Sequence, residues 1–310
     1  MISRRNIRVK VMQTLYTLVS LEQGAQGNTD AAAAILNTKL GQVLDLFTLS
    51  VLYAVRVAQY ADVDARMRAS RYLTASVDQN VDTRLATNSF VQLMTGNKTF
   101  NERIKENSLE RYVDEDLVKK IFGNVLRSAE YSVYTDSDKH TPVADKAILQ
   151  YIWETEILAS EDVLSHFLDE LPGWEDDSEL ITMLMQNFFK GNPKVDFSKL
   201  LSNEKREYAH DLLKAVMERE EQCNELITPK LMNWDKERVA VIDMLLLRMG
   251  VCEFLYFATI PTKVTINEYI DIAKQYSTPQ SGQFVNGVLD NILKDLVKQD
   301  LVTKTDRNKK

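Results

Sequence analysis

Arg4, Arg5, Arg8 and Tyr16 are the residues near the start of this 310-residue chain whose types could hold a nucleic-acid strand. Single-stranded RNA is gripped by cations on its phosphates and by aromatic rings that stack on splayed bases. Arg5 and Tyr16 are eleven residues apart. On an α-helix that is a rotation of about 20° and an advance of about three turns, so they share a flank. Arg4 and Arg8 stand one i,i+4 step apart beside it. The same stretch also reads as an ordinary amphipathic helix with a solvated basic end.

A second set lies near the other end. Gln280, Ser281, Gln283 and Phe284 put hydrogen-bond donors and an aromatic at the start of the last expected helix. Unpaired backbone amides at such a start attract phosphate. Phe284 equally suits a core position beside Val285, Val288 and Leu289. A third set is Asp243 and Gly250, in line with Val239 and Leu246 on an otherwise apolar helix. A carboxylate beside a small gap suits a basic side chain from a protein partner, or else an ion pair with Arg238 or Arg248. Arg248 itself reads as paired inside the bundle, because an unpaired buried guanidinium is costly.

Chemistry of other kinds finds no footing. His140, His166 and His210 are far apart and lack metal-ligand or nucleophile spacing, and neither a GxGxxG nor a P-loop occurs. The carboxylates fall on solvated faces without an acid/base pair pattern. The expectation is a non-enzyme with no metal and no cofactor. Cys223 and Cys252 make no disulfide framework, which points to a reducing, cytoplasmic setting. The Asn97-Lys98-Thr99 sequon has no meaning there. Ser3 to Arg8 has the look of a twin-arginine export signal. That reading fails because Lys10, Gln13, Thr14, Thr17 and Ser20 interrupt the apolar run such a signal requires. No window of roughly 18 apolar residues is found, so no membrane-spanning helix is expected.

Helices must position these residues, because glycine (10) and proline (6) are too scarce for a turn-rich β fold. Ile7, Val11, Leu15 and Leu18 make residues 3–22 an amphipathic helix capped by Ser3 and ended by Gln23 to Asn28. Helical patterns continue over 31–74, with Leu40, Val43, Leu44, Phe47, Val51 and Ala54 at core spacing. They continue again over 85–133, with turns near Gly96-Asn97 and Lys105 to Asn107. Between Ala147 and Phe189 there are ten acidic residues and no lysine or arginine. This is a solvated acidic face, or a docking surface for something basic. Lys190 to Pro193 punctuates the chain, and a boundary is placed close to residue 200. Helices are then expected over 204–227, broken near Pro229, and over 234–257, the latter apolar on nearly all sides and so central in its bundle. After Ile260-Pro261, Thr265 and Glu268 have capping-box spacing for a helix of about ten residues. Ser277-Thr278-Pro279 precedes a last helix capped by Ser281, with Phe284, Val285, Val288, Leu289, Ile292, Leu293 and Leu296 inward. Lys304 to Lys310 reads as a disordered tail.

The formal charge is -7, distributed as +3 over residues 1–23, -9 over 24–200 and -1 over 201–310. A basic tip on an acidic body can bind phosphate locally while the body repels nonspecific nucleic acid.

The runs NWDKERVAVIDMLLLRMGVCEF, IPTKVTINEYIDIAK and SGQFVNGVLDNIL resemble the carboxy-terminal half of the NusB family of bacterial transcription antitermination factors. RRNIRVKVMQTLY resembles that family's first helix. The likeness covers about residues 1–23 and 203–297. The stretch between is similar to the insertion of an extended branch. The resemblance implies an all-α, NusB-like helical bundle with an inserted helical region. Its implied parts are a first helix (1–23), a helical insertion of unknown role (24–200), a carboxy-terminal bundle (201–300) and a tail (301–310). It implies binding of boxA-like RNA together with NusE, a small-subunit ribosomal protein, in the RNA polymerase elongation complex of ribosomal RNA transcription. NusE would be the partner at Asp243. No catalysis and no membrane are implied. The family usually has an acid where this chain has Gln280 and often a base at Gln283, departures of opposite electrostatic sign. Ribosomal RNA methyltransferases that carry a NusB-like domain continue into an α/β domain, whereas 13 residues follow Val297 here. The competing expectation is a helical adaptor that docks proteins on its acidic surface and binds no RNA.

Overall fold

In the computed structural model, residues 2–20, 28–71, 82–136, 141–191, 195–231 and 239–304 are described, and among them all regular structure is helical. His140, Arg238, the expected helix end at Gln23 to Gly27, residues 72–74, the punctuation at Asn192-Pro193, residues 234–238 and the tail beyond Lys304 lie outside the described residues. The chain divides into two units, one of residues 2–40 with 202–310 and the other of 41–201.

The first unit is built from α1 (Arg4–Ser20), the opening turns of α2 (Thr29–Arg71), α10 (Asn203–Glu218), α11 (Glu220–Ile227), α12 (Val241–Tyr256), α13 (Thr262–Tyr276) and α14 (Ser281–Lys298). Ser3 caps α1 as expected, with Asn6 reciprocating: the Asn6 amide donates to Ser3 Oγ at 3.2 Å and the Ser3 amide to Asn6 Oδ1 at 3.0 Å. Ile7, Val11, Leu15 and Leu18 are buried together. α12 is central and packs against α1, α10, α11, α13 and α14, as a helix apolar all round must.

Four local expectations are corrected. The helix expected from residue 234 starts at Val241, so Val239 is not on its stripe. The capping box at Thr265 and Glu268 does not form. Pro261 starts α13 a turn earlier, because its fixed φ suits a helix start, and Thr265 is spent inside the bundle. Gln280, not Ser281, holds the N-cap position of α14. Lys304 is ordered: its Nζ donates to the Glu253 and Phe257 carbonyls at 2.7 and 2.9 Å, satisfying the open end of α12.

The second unit holds the rest of α2 with α3 (Ser89–Thr95), α4 (Lys98–Glu106), α5 (Glu115–Val125), α6 (Ala129–Asp136), α7 (Pro142–Tyr151), α8 (Glu161–Glu170) and α9 (Trp174–Lys190). Against expectation, α2 is long and apolar enough by length and composition to cross a membrane, with a mean hydropathy of 1.4 over its best window, but 78% of that window is buried. It is a core helix. Phe47, Phe90, Phe188 and Phe197 cluster around it, and Tyr53, Phe167 and Trp174 form a second aromatic group. The acidic stretch runs from the end of α7 through Ile152–Ile157 into α8 and α9, whose first turns carry Glu161, Asp162, Glu175, Asp176 and Asp177. Carboxylates there complement the positive helix ends, which gives half of them a structural reason.

Candidate RNA interface

The three arginines of the first helix have different surroundings. Arg4 Nη2 meets Glu204 Oε1 at 2.6 Å, with its guanidinium 5.6 Å from the Tyr208 ring centroid. Arg5 Nη1 meets Asp271 Oδ2 at 3.2 Å on α13. Both are half-buried and reach the surface. Arg8, in contrast, is 1% exposed and clamps Glu253, which is fully buried. Arg8 Nε donates to Oε1 at 2.7 Å and Nη2 to Oε2 at 3.1 Å. This corrects the expectation that Arg8 reaches phosphate, because it lies next to Ile7 on the inward side of α1 and its charge is already committed.

Glu253 is the hub of that clamp. Its Oε1 also accepts from Tyr208 at 2.5 Å and Tyr269 at 2.9 Å, and its Oε2 from Thr265 at 2.8 Å. Five donors from α1, α10 and α13 therefore converge on one α12 carboxylate. Burial works against the Arg8 charge, but the bonds and field of Glu253 win and its pKa is raised. Burial and the Glu253 charge together push both tyrosines well above the usual phenol range, so they remain donors. A buried network satisfied this fully rigidifies the bundle and fixes where the start of α1 sits.

At the other end of the expected site, Gln280 and Gln283 are exposed, whereas Ser281 and Phe284 are buried. Phe284, 4% exposed, belongs to the core with Val285 and Leu289 and offers no ring to a base. Ser281 Oγ is bound to Asp243 Oδ2 at 2.7 Å and takes the Thr278 amide at 3.2 Å. The amides of Ser281 and Gln283 are bonded to the Thr278 and Gln280 carbonyls, so little of the expected anion-binding helix start is open.

What joins the two ends is α13. Asp271, the partner of Arg5, also approaches Lys274 Nζ at 3.9 Å. Lys274 lies on Gly282, where a Cβ would come within 2.9 Å of its Cγ. Arg5 and the first turn of α14 are thus linked through two α13 side chains. Sequence alone does not single out Lys274. Its i,i+3 spacing from Asp271 was the available signal. Tyr16 is 44% exposed, about three turns further along α1.

Asp243 is buried, and its Oδ1 has no hydrogen-bond partner among the described residues. Arg248 is not its partner, since it pairs with Glu220 at 2.8 Å and Asn224 at 3.0 Å. Gly250 is not a gap: a Cβ there would lie 2.8 Å from Leu289 Cδ2, so the glycine lets α14 approach α12. His166 Nε2 lies 2.9 Å from the Tyr112 carbonyl and His210 Nε2 lies 3.0 Å from Asn37 Oδ1. Among the described residues no group of three or more metal-binding side chains comes together.

Comparisons with known proteins match the carboxy-terminal part of the chain. A family model for the NusB family matches residues 167–294. The transcription antitermination protein NusB of Salinibacter ruber is 46% identical over 102 residues, 33% of this chain and 64% of the relative. That of Methylacidiphilum infernorum is 45% identical over 100 residues, 32% of this chain and 69% of the relative. That of Syntrophotalea carbinolica is 40% identical over 102 residues, 33% and 65% respectively. The chain therefore spans about two thirds of the length of these curated relatives. A solved structure of T. maritima NusB is 34% identical, covering 36% of this chain and 82% of that one, with a TM-score of 0.29.

Proposed function

The chain belongs to the NusB family, and from that premise we propose that it is a cytoplasmic transcription antitermination factor. In this reading it binds boxA-like single-stranded RNA together with NusE, joins the RNA polymerase elongation complex, and catalyses no reaction. The observation that carries the reading is the surface formed by Arg4, Arg5 and Lys274, held on one unit with Gln280 and Gln283 beside it. Tyr16 supplies an exposed aromatic on the same helix as the arginines. Asp243 is sealed in the bundle against Ser281, so its proposed part in NusE association is indirect, through the placement of the start of α14.

The test is a titration of labelled boxA-like RNA into the purified chain, with and without NusE, over a range of salt. Replacing Arg4 and Arg5 with Ala should weaken binding and make the log-log salt slope shallower. Unchanged affinity would remove the α1 surface from the site. Asp243→Asn, which keeps the shape of the buried side chain, should weaken NusE association with the melting curve unchanged, and association that survives would place the partner elsewhere.

A further inference from the structure

A cleft in the 41–201 unit has the make-up of a nucleotide site. Its volume is about 580 Å³, in the range of small-molecule sites. Leu52 and Val55 of α2 and Phe100 and Ile104 of α4 form an apolar floor. On the rim stand Arg56, Lys105 and Arg111 against a single carboxylate, Glu110. Arg56 pairs with Glu110 at 2.7 Å, and its Nε is buried with no hydrogen-bond partner among the described residues. Lys105 makes no ion pair among those residues. Arg111 stacks 4.6 Å from the Tyr112 ring centroid and donates to Tyr112 Oη at 2.6 Å, contacts that leave its charge uncancelled. The rim is therefore cationic in a unit whose sequence carries 17 basic and 26 acidic residues. A local reversal of sign against the surrounding field is what concentrates an anion.

The remaining polar groups narrow the class of anion. Gln59 and Asn101 stand in the cleft with Phe100. Asn101 spends its Nδ2 on the Thr95 carbonyl at 2.7 Å, which leaves its Oδ1 to accept. A simple inorganic anion has no use for the apolar floor, and an apolar molecule has none for the cations. A nucleotide uses all three: a flat base on the floor, its donor and acceptor edge on the carboxamides, and its phosphate on the arginines and lysine. We propose that this cleft binds a nucleoside phosphate, either free or as one unit of an RNA strand.

The experiment is calorimetric titration of the full chain with AMP, adenosine, inorganic phosphate and octanoate, beside anisotropy titration with labelled single-stranded RNA. The variants are Lys105→Glu and Arg111→Glu, whose parent side chains are exposed, with Arg5→Ala as a control in the other unit and thermal melts as a check on folding. If the ligand is a free nucleotide, AMP binds more tightly than adenosine or phosphate. Each charge reversal then weakens it by about tenfold or more, the size of one lost charge-assisted bond, and the control leaves it unchanged. If the source is a strand, AMP is weak but RNA affinity falls by a similar factor in the same variants, additively with Arg5→Ala. The proposal is overturned if neither affinity moves in folded variants, or if phosphate or octanoate binds as well as AMP.

Discussion

Glu253→Gln keeps the shape of the hub side chain and removes its charge, so it isolates what the carboxylate does for Arg8. The new amide oxygen can keep the three donors now on Oε1, from Arg8 Nε, Tyr208 and Tyr269. Its NH2 must then face Arg8 Nη2 and the Thr265 hydroxyl. Threonine can turn and accept, but a guanidinium cannot. The change therefore costs the buried charge pair and sets two donors against each other. Removing one partner of a buried pair costs about 3–5 kcal/mol. Glu268 Oε2, 3.4 Å from Arg8 Nη1, offers a second carboxylate, which puts the expected loss near the lower bound, about 3 kcal/mol. In urea unfolding followed by far-ultraviolet circular dichroism, an m-value of about 2 kcal/mol/M turns this into a midpoint lowered by about 1.5 M. Arg8→Met combined with Glu253→Leu should recover much of the loss, because apolar packing replaces a buried pair at little cost. A midpoint for Glu253→Gln within about 0.3 M of the parent would refute the view that this network holds α1 in place.

Further outcomes are expected. Gly250→Ala should destabilise by about 1–2 kcal/mol, since overpacking against buried Leu289 outweighs the helix-propensity gain, whereas Gly287→Ala, with nothing within 4 Å, should stabilise by up to about 1 kcal/mol; paired melts check both signs. Tyr208 and Tyr269 have pKa values raised above 10.0 by burial and then by the Glu253 charge, so the folded chain keeps protons that the unfolded chain releases. Their contribution is whole below about pH 10 and lost above it, at about 1.4 kcal/mol per pH unit per tyrosine, and changing both to Phe should flatten the alkaline limb of a stability profile. Phe284→Ala should cost about 3–5 kcal/mol in an unfolding titration and leave the RNA affinity of the folded fraction unaltered. Asp271→Asn should tighten RNA binding in an anisotropy titration by removing a carboxylate that competes with phosphate for Arg5.

Periodicity made the helices legible. The stripe of Ile7, Val11, Leu15 and Leu18, the central place of α12 and the inward face of α14 all follow from apolar spacing, and these residues are buried as that spacing requires except Leu293, at the edge of the α14 face, which is half-buried. What periodicity does not carry is the partner of a polar residue. Sequence alone leaves Arg8 a surface cation because its acceptor, Glu253, is 245 residues away. Thr265 and Glu268 matched a local cap, yet their hydroxyl and carboxylate are used by Glu253 and Arg8, and Pro261 had already set the helix start. Lys304 acquires its place through a fold-level contact with the end of α12, and Lys274, whose spacing from Asp271 is local, meets Gly282 only in the fold. The cleft over α2 and α4 was illegible for the same reason, since Arg56, Lys105 and Arg111 come from three separate segments.

In the proposed function, the run Ser3 to Arg8 divides its cations between two jobs. Exposed pairs such as Arg4 with Glu204 and Arg5 with Asp271 are worth about 0–1 kcal/mol, so a phosphate can displace either carboxylate at little cost. The Arg8 pair is sealed, removing one partner costs several times more than breaking an exposed pair, and no phosphate reaches it. Its work is indirect: by fixing α1 against α10, α12 and α13, it holds Arg4 and Arg5 where Lys274 can join them. Salt dependence separates these roles. With about 0.7 in log-log slope for each phosphate contact on a single strand, Arg4, Arg5 and Lys274 give a slope of about 2, whereas a fourth contact from Arg8 would raise it to about 2.8. The slope therefore counts how many of these cations face the strand.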